Sequence, residues 1–149
     1  MQKRTHCLSN YLDCPRQRFV MLKNSFVFVD SRVSNYQSLL ASLAEPAGVF
    51  VLNGESDGLG QMAAQLQGRT GIDAIHVISH GSQGTLYLGS TVLDSGNLAA
   101  HGLQLASIGA ALSVGGDILL YGCNVAQGDA GLQFITAPNR NPSVSAIGL

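Results

Sequence analysis

The chain has 149 residues, of which 46% are hydrophobic and 11% charged, and a formal net charge of −1. These values suit one domain with a core of ordinary size and exclude a disordered chain or a highly charged one. Five of the eight basic residues (Lys3, Arg4, Arg16, Arg18 and Lys23) precede residue 24, and beyond it three basic residues face eight acidic ones, a balance of −5 that argues against a nucleic-acid partner.

Residues 1–24 carry no periodicity and read as a disordered basic leader outside the fold. The leader has no secretory apolar core, because Arg16, Arg18, Lys23 and Asn24 interrupt it, so no signal peptide is visible. No run in the chain approaches the roughly 18 apolar residues of a membrane span. Order is expected to begin at Ser25-Phe-Val-Phe-Val-Asp30, a first strand rich in β-branched and aromatic residues. Ser34 or Asn35 can then cap a helix whose apolar positions Tyr36, Leu39, Leu40 and Leu43 follow the 3.6 spacing, and Pro46 and Gly48 stop it. Val49-Phe-Val-Leu52 reads as the second strand. Asp57 is a candidate cap for a helix carrying Leu59, Met62, Ala63 and Leu66, which Gly68 and Gly71 close.

Ala74 to Ser79 reads as the third strand, and Thr85 to Gly89 with Thr91 to Leu93 as a small hairpin or edge ribbon. A helix from about Leu103 to Leu112 is expected to end at Gly115-Gly116, before a fourth strand from Asp117 to Tyr121. A further helix can start over 130–135, until Pro138 and Pro142 break the pattern. Strands alternating with helices predict an α/β fold with a mostly parallel sheet between helices, its core strands in the order second, first, third, fourth. Continuous apolar runs are the pattern of parallel strands buried on both faces. The domain is placed at 25–135, with 136–149 an irregular tail.

Two of these strands leave through chemistry beside a glycine: Ala74-Ile-His-Val-Ile-Ser-His80-Gly81 and Asp117-Ile-Leu-Leu-Tyr-Gly-Cys123-Asn124. If the strands are parallel neighbours, His80 and Cys123 emerge together at the carboxyl edge, where open α/β sheets carry their sites. An imidazole beside a thiol can deprotonate it and later return the proton. Each residue alone also has a plain reading: His80 as a turn residue, Cys123 as a small hydrophobe ending a buried strand. Gly122 leaves room for a substrate backbone near the sulfur, and the Gly81 N–H can serve as an oxyanion donor.

His76 reads as a satisfied core histidine rather than a ligand, and His101 as a solvated loop residue. His76, His80 and Cys123 lack the spacing and the fourth ligand of a structural zinc site, so no metal and no cofactor is assigned. The run Gly54 to Gly60 lacks both G-x-G-x-x-G and a P-loop lysine and reads as a turn and cap. Asp30 and Asp57 end the first and second strands at the same edge; they either line a cleft or cap the helices that follow, and the caps are favoured. Cys7 and Cys14 lie in the leader, and three cysteines cannot make a disulfide framework.

The strings Phe28-Val-Asp-Ser-Arg-Val33, Leu52-Asn-Gly-Glu-Ser-Asp-Gly58, Ile75-His-Val-Ile-Ser-His-Gly81, Leu86-Tyr-Leu-Gly89 and Ile118-Leu-Leu-Tyr-Gly-Cys-Asn-Val-Ala126 resemble a bacterial domain of unknown function found near the amino terminus of very large surface proteins. Such proteins often continue into cadherin-like, haemagglutinin-like or calcium-binding repeats. The resemblance covers about 26–135. The His-Gly and Gly-Cys pair is also similar to the dyad of caspase-fold cysteine peptidases, a group that includes gingipains, separase-like and self-cleaving toxin peptidases.

The resemblance implies a caspase-like three-layer fold, a secreted or cell-surface setting, His80 as base and Cys123 as nucleophile. The Gly131-Leu-Gln-Phe134 string matches the start of the family's next helix, whereas Thr136 to Pro142 departs from it, so a truncated or frame-shifted copy is expected. The expected function is therefore a caspase-like module of an adhesin-type protein, non-catalytic in this form. The alternative is a cysteine peptidase, self-processing or not, that uses the His80–Cys123 dyad. The partner is a polypeptide substrate or the remainder of a longer adhesin chain. An unpaired edge on the fourth strand is expected to favour self-association.

Overall fold

The first strand, β1 (Ser25–Asp30), is buried along its whole length. A computed structural model describes residues 24–42, 48–121, 128–130 and 143–147 of the chain. Helix α1 is Tyr36–Ser42, β2 is Gly48–Leu52, α2 is Gly58–Leu66 and β3 is Ile72–Ile78. A ribbon of β4 (His80–Ser82), β5 (Thr85–Leu88) and β6 (Thr91–Asp94) follows, then a 3-10 turn at Leu98–His101 and helix α3, Gly102–Ala111. β7 is Leu112–Tyr121 and β8 is Ser143–Ile147.

All pairings in the main sheet are parallel, in the order β2-β1-β3-β7-β8, and the ribbon forms a separate antiparallel sheet, β4-β5-β6. The four core strands therefore take the order expected from the sequence, with β7 as the fourth. β3 and β7 are direct neighbours in register from Ala74 opposite Asp117 to Ile78 opposite Tyr121.

Side-chain alternation along each strand divides the core between two faces. Phe26, Phe28, Ile75, Val77 and Leu120 pack against Leu59, Met62 and Leu66 of α2, Ile108 and Ala111 of α3, and Leu86, Leu88 and Leu93 of the ribbon. The intervening residues Val27, Val29 and Ile78 face Tyr36, Leu39 and Leu40 of α1. An apolar cavity of about 50 Å3 lies within the first layer, against Leu59, Met62, Val77, Leu88 and Ile108. Among the described residues no helix is long and apolar enough to cross a membrane.

Three expectations are corrected. First, the irregular tail is irregular only in part: Ser143–Ile147 pairs in parallel with Asp117 to Tyr121, so β7 does not present an open edge. Pro138 and Pro142 both precede the strand in the chain, and its own residues include the β-branched and apolar Val144, Ala146 and Ile147.

Second, α3 ends at Ala111, and Gly115-Gly116 lies inside β7 rather than after a helix. Gly115 has φ 80°, a left-handed conformation that glycine adopts without a side-chain penalty. The register with β3 shifts between Ile72 and Ala74 at this point, so the two glycines mark a bulge. Third, His101 is no solvated loop residue. It closes the 3-10 turn and donates Nδ1–H to Gln104 Oε1 at 3.0 Å.

Candidate functional site

β3 and β7 leave the sheet side by side. The Ser79 N–H, one residue past β3, donates to the Tyr121 carbonyl at the end of β7 (3.1 Å), and the next residue, His80, opens the ribbon. His80 is exposed, and its Nε2 lies 3.1 Å from the main-chain carbonyl oxygen of Arg32, just beyond β1. A carbonyl oxygen can only accept, so Nε2 carries the proton. The neutral ring then holds its basic lone pair on Nδ1.

Across the ribbon His80 is paired with Tyr87, and the Tyr87 hydroxyl is 3.3 Å from Ser82 Oγ. Gly81 lies opposite Leu86 and is half-buried.

The Arg32 carbonyl is held in place by Asp30, whose side chain is fully buried. One carboxylate oxygen, Oδ1, accepts from Arg32 N (2.9 Å) and Arg32 Nε (3.1 Å). The other, Oδ2, accepts from Arg32 Nη2 (2.9 Å) and from the Gly89 N–H (2.7 Å). Arg32 Nη2 also donates to the Gly89 carbonyl at 2.6 Å. Burial alone would raise the Asp30 carboxyl, but these hydrogen bonds and the guanidinium charge outweigh it and hold it below its ordinary value. Asp30 is thus neither a helix cap nor an open cleft acid; it ties the turn after β1 to the ribbon. In the sequence, only the Asp-x-Arg spacing across the end of a strand signals the part Arg32 plays here.

Asp57 stands at the start of α2, but its side chain makes no capping hydrogen bond. It accepts instead from the Thr91 hydroxyl and from Gln104 Nε2 (2.8 Å), joining α2, the ribbon and α3. Burial pushes this carboxyl up, and the Thr91 bond, the nearby Gly60 and Leu59 amides and the Gln104 bond together hold it below its usual range. In the loop before it, the amides of Asn53, Gly54, Glu55 and Ser56 are taken by Gln61 Oε1, Ser31 Oγ, Asn53 Oδ1 and Asn53 O. Those four amides are committed within the loop and its neighbours, so they form no open cradle for a phosphate. The loop instead packs closely on the ribbon. A Cβ at Gly58 would lie 2.4 Å from Leu88 O, and one at Gly89 would lie 2.0 Å from Ser56 O.

His76 is buried on the α1 face of the sheet, its Nδ1 2.9 Å from the Tyr121 hydroxyl and its ring stacked on the tyrosine at 5.7 Å. Burial lowers its pKa below the ordinary 6.5, which keeps the ring neutral. It is a satisfied core histidine. Among the described residues, no three of His, Cys, Asp and Glu gather where a metal ion could sit.

Gly122 and Cys123 lie outside the described residues, as do the leader with Cys7 and Cys14 and the segment 131–142. What the structure brings together is therefore His80, the Arg32 carbonyl that orients it, and the exit of β7 from which the Gly122-Cys123 string follows directly.

The fold and site define a class: an α/β domain with a parallel sheet between helices and a histidine at the sheet's carboxyl edge, oriented by a main-chain carbonyl. The chain belongs to the family described as a domain of unknown function, DUF4347, which matches residues 26–141. No curated protein and no solved structure matches the chain.

Proposed function

We propose that this domain is a cysteine peptidase-type module of the caspase-like kind, with His80 as general base and Cys123 as nucleophile. The supporting observation is the His80 Nε2 to Arg32 O hydrogen bond, which leaves Nδ1 as the basic nitrogen of a residue that directly follows Ser79, itself bonded to the end of β7. Nδ1 takes the thiol proton, and the thiolate attacks the carbonyl carbon of a polypeptide. The tetrahedral intermediate collapses as the C–N bond breaks, and the amine leaves with the proton from His80. Water, deprotonated by the same nitrogen, then hydrolyses the thioester and regenerates the thiol.

The substrate is a polypeptide, and by resemblance it is the remainder of a longer adhesin-like surface chain. An inert module that helps export, fold or display an adhesin is the competing reading. Its support is the departure of Thr136 to Pro142 from the family's pattern, at the end that builds much of the substrate cleft in caspase-like folds.

A peptide-based thiol-reactive probe tests the proposal. Labelling of Cys123 that is lost in His80→Ala supports the peptidase. Labelling that is equally slow in both proteins overturns it and supports the inert module.

A further inference from the structure

The hydrogen bonds around His80 close into a ring. Asp30 Oδ1 holds the Arg32 main chain, the Arg32 carbonyl accepts from His80, and His80 is paired across the ribbon with Tyr87. Two residues on from Tyr87, the Gly89 N–H returns to Asp30 Oδ2. The carboxylate is thus shared between the turn after β1, which carries the Arg32 carbonyl, and the ribbon, which carries His80. The Arg32 guanidinium doubles the link, since Nη2 bonds both Asp30 and the Gly89 carbonyl.

A ring of this kind has a consequence beyond stability. An imidazole in solution distributes its proton between both nitrogens, and an outer acceptor selects one tautomer only if it is held at hydrogen-bonding distance. Nothing in the described residues other than Arg32 O accepts from the His80 ring.

We propose that Asp30 is a positioning residue for His80. Its buried carboxylate clamps the turn 30–33 to Gly89, and so fixes the Arg32 carbonyl where it places the imidazole proton on Nε2 and the basic lone pair on Nδ1. This rests on the peptidase reading only for its consequence in catalysis. The tautomer itself is a property of the resting protein.

The test is made on the full chain with 15N-labelled histidine, alongside the alkylation rate of Cys123 by iodoacetamide. In the unaltered protein the two His80 ring nitrogens have well-separated 15N shifts, with the proton on Nε2. In Asp30→Asn, which keeps the shape but cannot accept from both segments as before, the two shifts draw together and alkylation slows by roughly tenfold, the lower end of what loss of an orienting outer partner does at a histidine.

Arg32→Lys is the second variant in case the first does not fold. It keeps the charge opposite Asp30 and leaves the main-chain carbonyl in the sequence, but one ammonium cannot reproduce the planar fork to Asp30 and Gly89. The same drawing-together is expected in it. A folded variant of either kind whose His80 tautomer equals that of the unaltered protein overturns the inference. Cys123 alkylation that does not depend on His80, with the tautomer shift present, overturns the peptidase reading and leaves the positioning role standing.

Discussion

The imidazole of His80 and the carbonyl of Arg32 are 48 residues apart in the chain and 3.1 Å apart in space. Their contact joins the ends of β1 and β3, which are parallel neighbours. It also converts an exposed histidine into one with a defined free nitrogen, and the account of the site depends on that conversion.

The approach of the α2 loop to the ribbon predicts a graded series of glycine substitutions. Gly89→Ala meets Ser56 O at 2.0 Å with φ 58°, so it combines overlap with left-handed strain. It should cost about 2–4 kcal/mol. Gly58→Ala meets Leu88 O and should cost about 1–3 kcal/mol from overlap. Gly68→Ala, at φ 75° with nothing within 4 Å, should cost only the backbone strain, about 1–2 kcal/mol. Urea midpoints at constant slope measure the series. Equal effects at Gly89 and Gly68 would contradict the packing of loop on ribbon.

The His76–Tyr121 pair predicts a pH dependence of stability. His76 has a folded pKa below the ordinary 6.5, so the unfolded chain binds its proton more readily than the native one. The stability it contributes is therefore fully present above pH 6.5 and is lost as the pH falls from there through the folded value. Asp30 and Asp57, both lowered from 3.8, act in a separate and lower window, where stability is lost as the pH falls below that value. The double variant His76→Phe with Tyr121→Phe removes both polar partners together and keeps the rings. Its urea midpoint should fall less between pH 7.5 and pH 5 than that of the unaltered protein. An identical fall would place the titrating group elsewhere.

Much of this fold is legible in the sequence because parallel strands buried on both faces leave continuous apolar runs. Phe26 to Val29 and Ala74 to Ile78 are such runs, and the helices between them carry the 3.6 period of Leu59, Met62 and Leu66. β8 was not legible, since five residues after a proline, with serines at two positions, carry little strand signal of their own. They gain a ladder only because β7 is there to pair with. The start of β7 was hidden for the opposite reason, because Gly115-Gly116 looks like a terminator and serves as a bulge. At the site, His80 was visible as a strand-exit histidine beside a glycine. Its partner was not, because the Arg32 carbonyl belongs to the main chain and any residue type supplies one.

Pairing of β8 with β7 predicts an asymmetric effect of proline. Successive N–H groups of a strand point to opposite sides, and among the described residues β8 has a partner strand on one side only. Of Val144→Pro and Ser145→Pro, one therefore removes a ladder bond and the other removes an N–H directed away from β7. One variant should melt lower than the other and self-associate through the exposed β7 edge, as read by scanning calorimetry and sedimentation. Two variants that melt as the unaltered protein does would show that β8 adds nothing to the sheet.

The central claim is that His80 activates Cys123, and the pH profile of Cys123 alkylation by iodoacetamide tests it most directly. In a chain with Cys7 and Cys14 replaced by serine, the account predicts rapid alkylation well below pH 8.5, the ordinary thiol value. In His80→Ala the profile should move up to that of an ordinary thiol. An ordinary profile in the unaltered histidine background, unchanged by His80→Ala, would contradict the account.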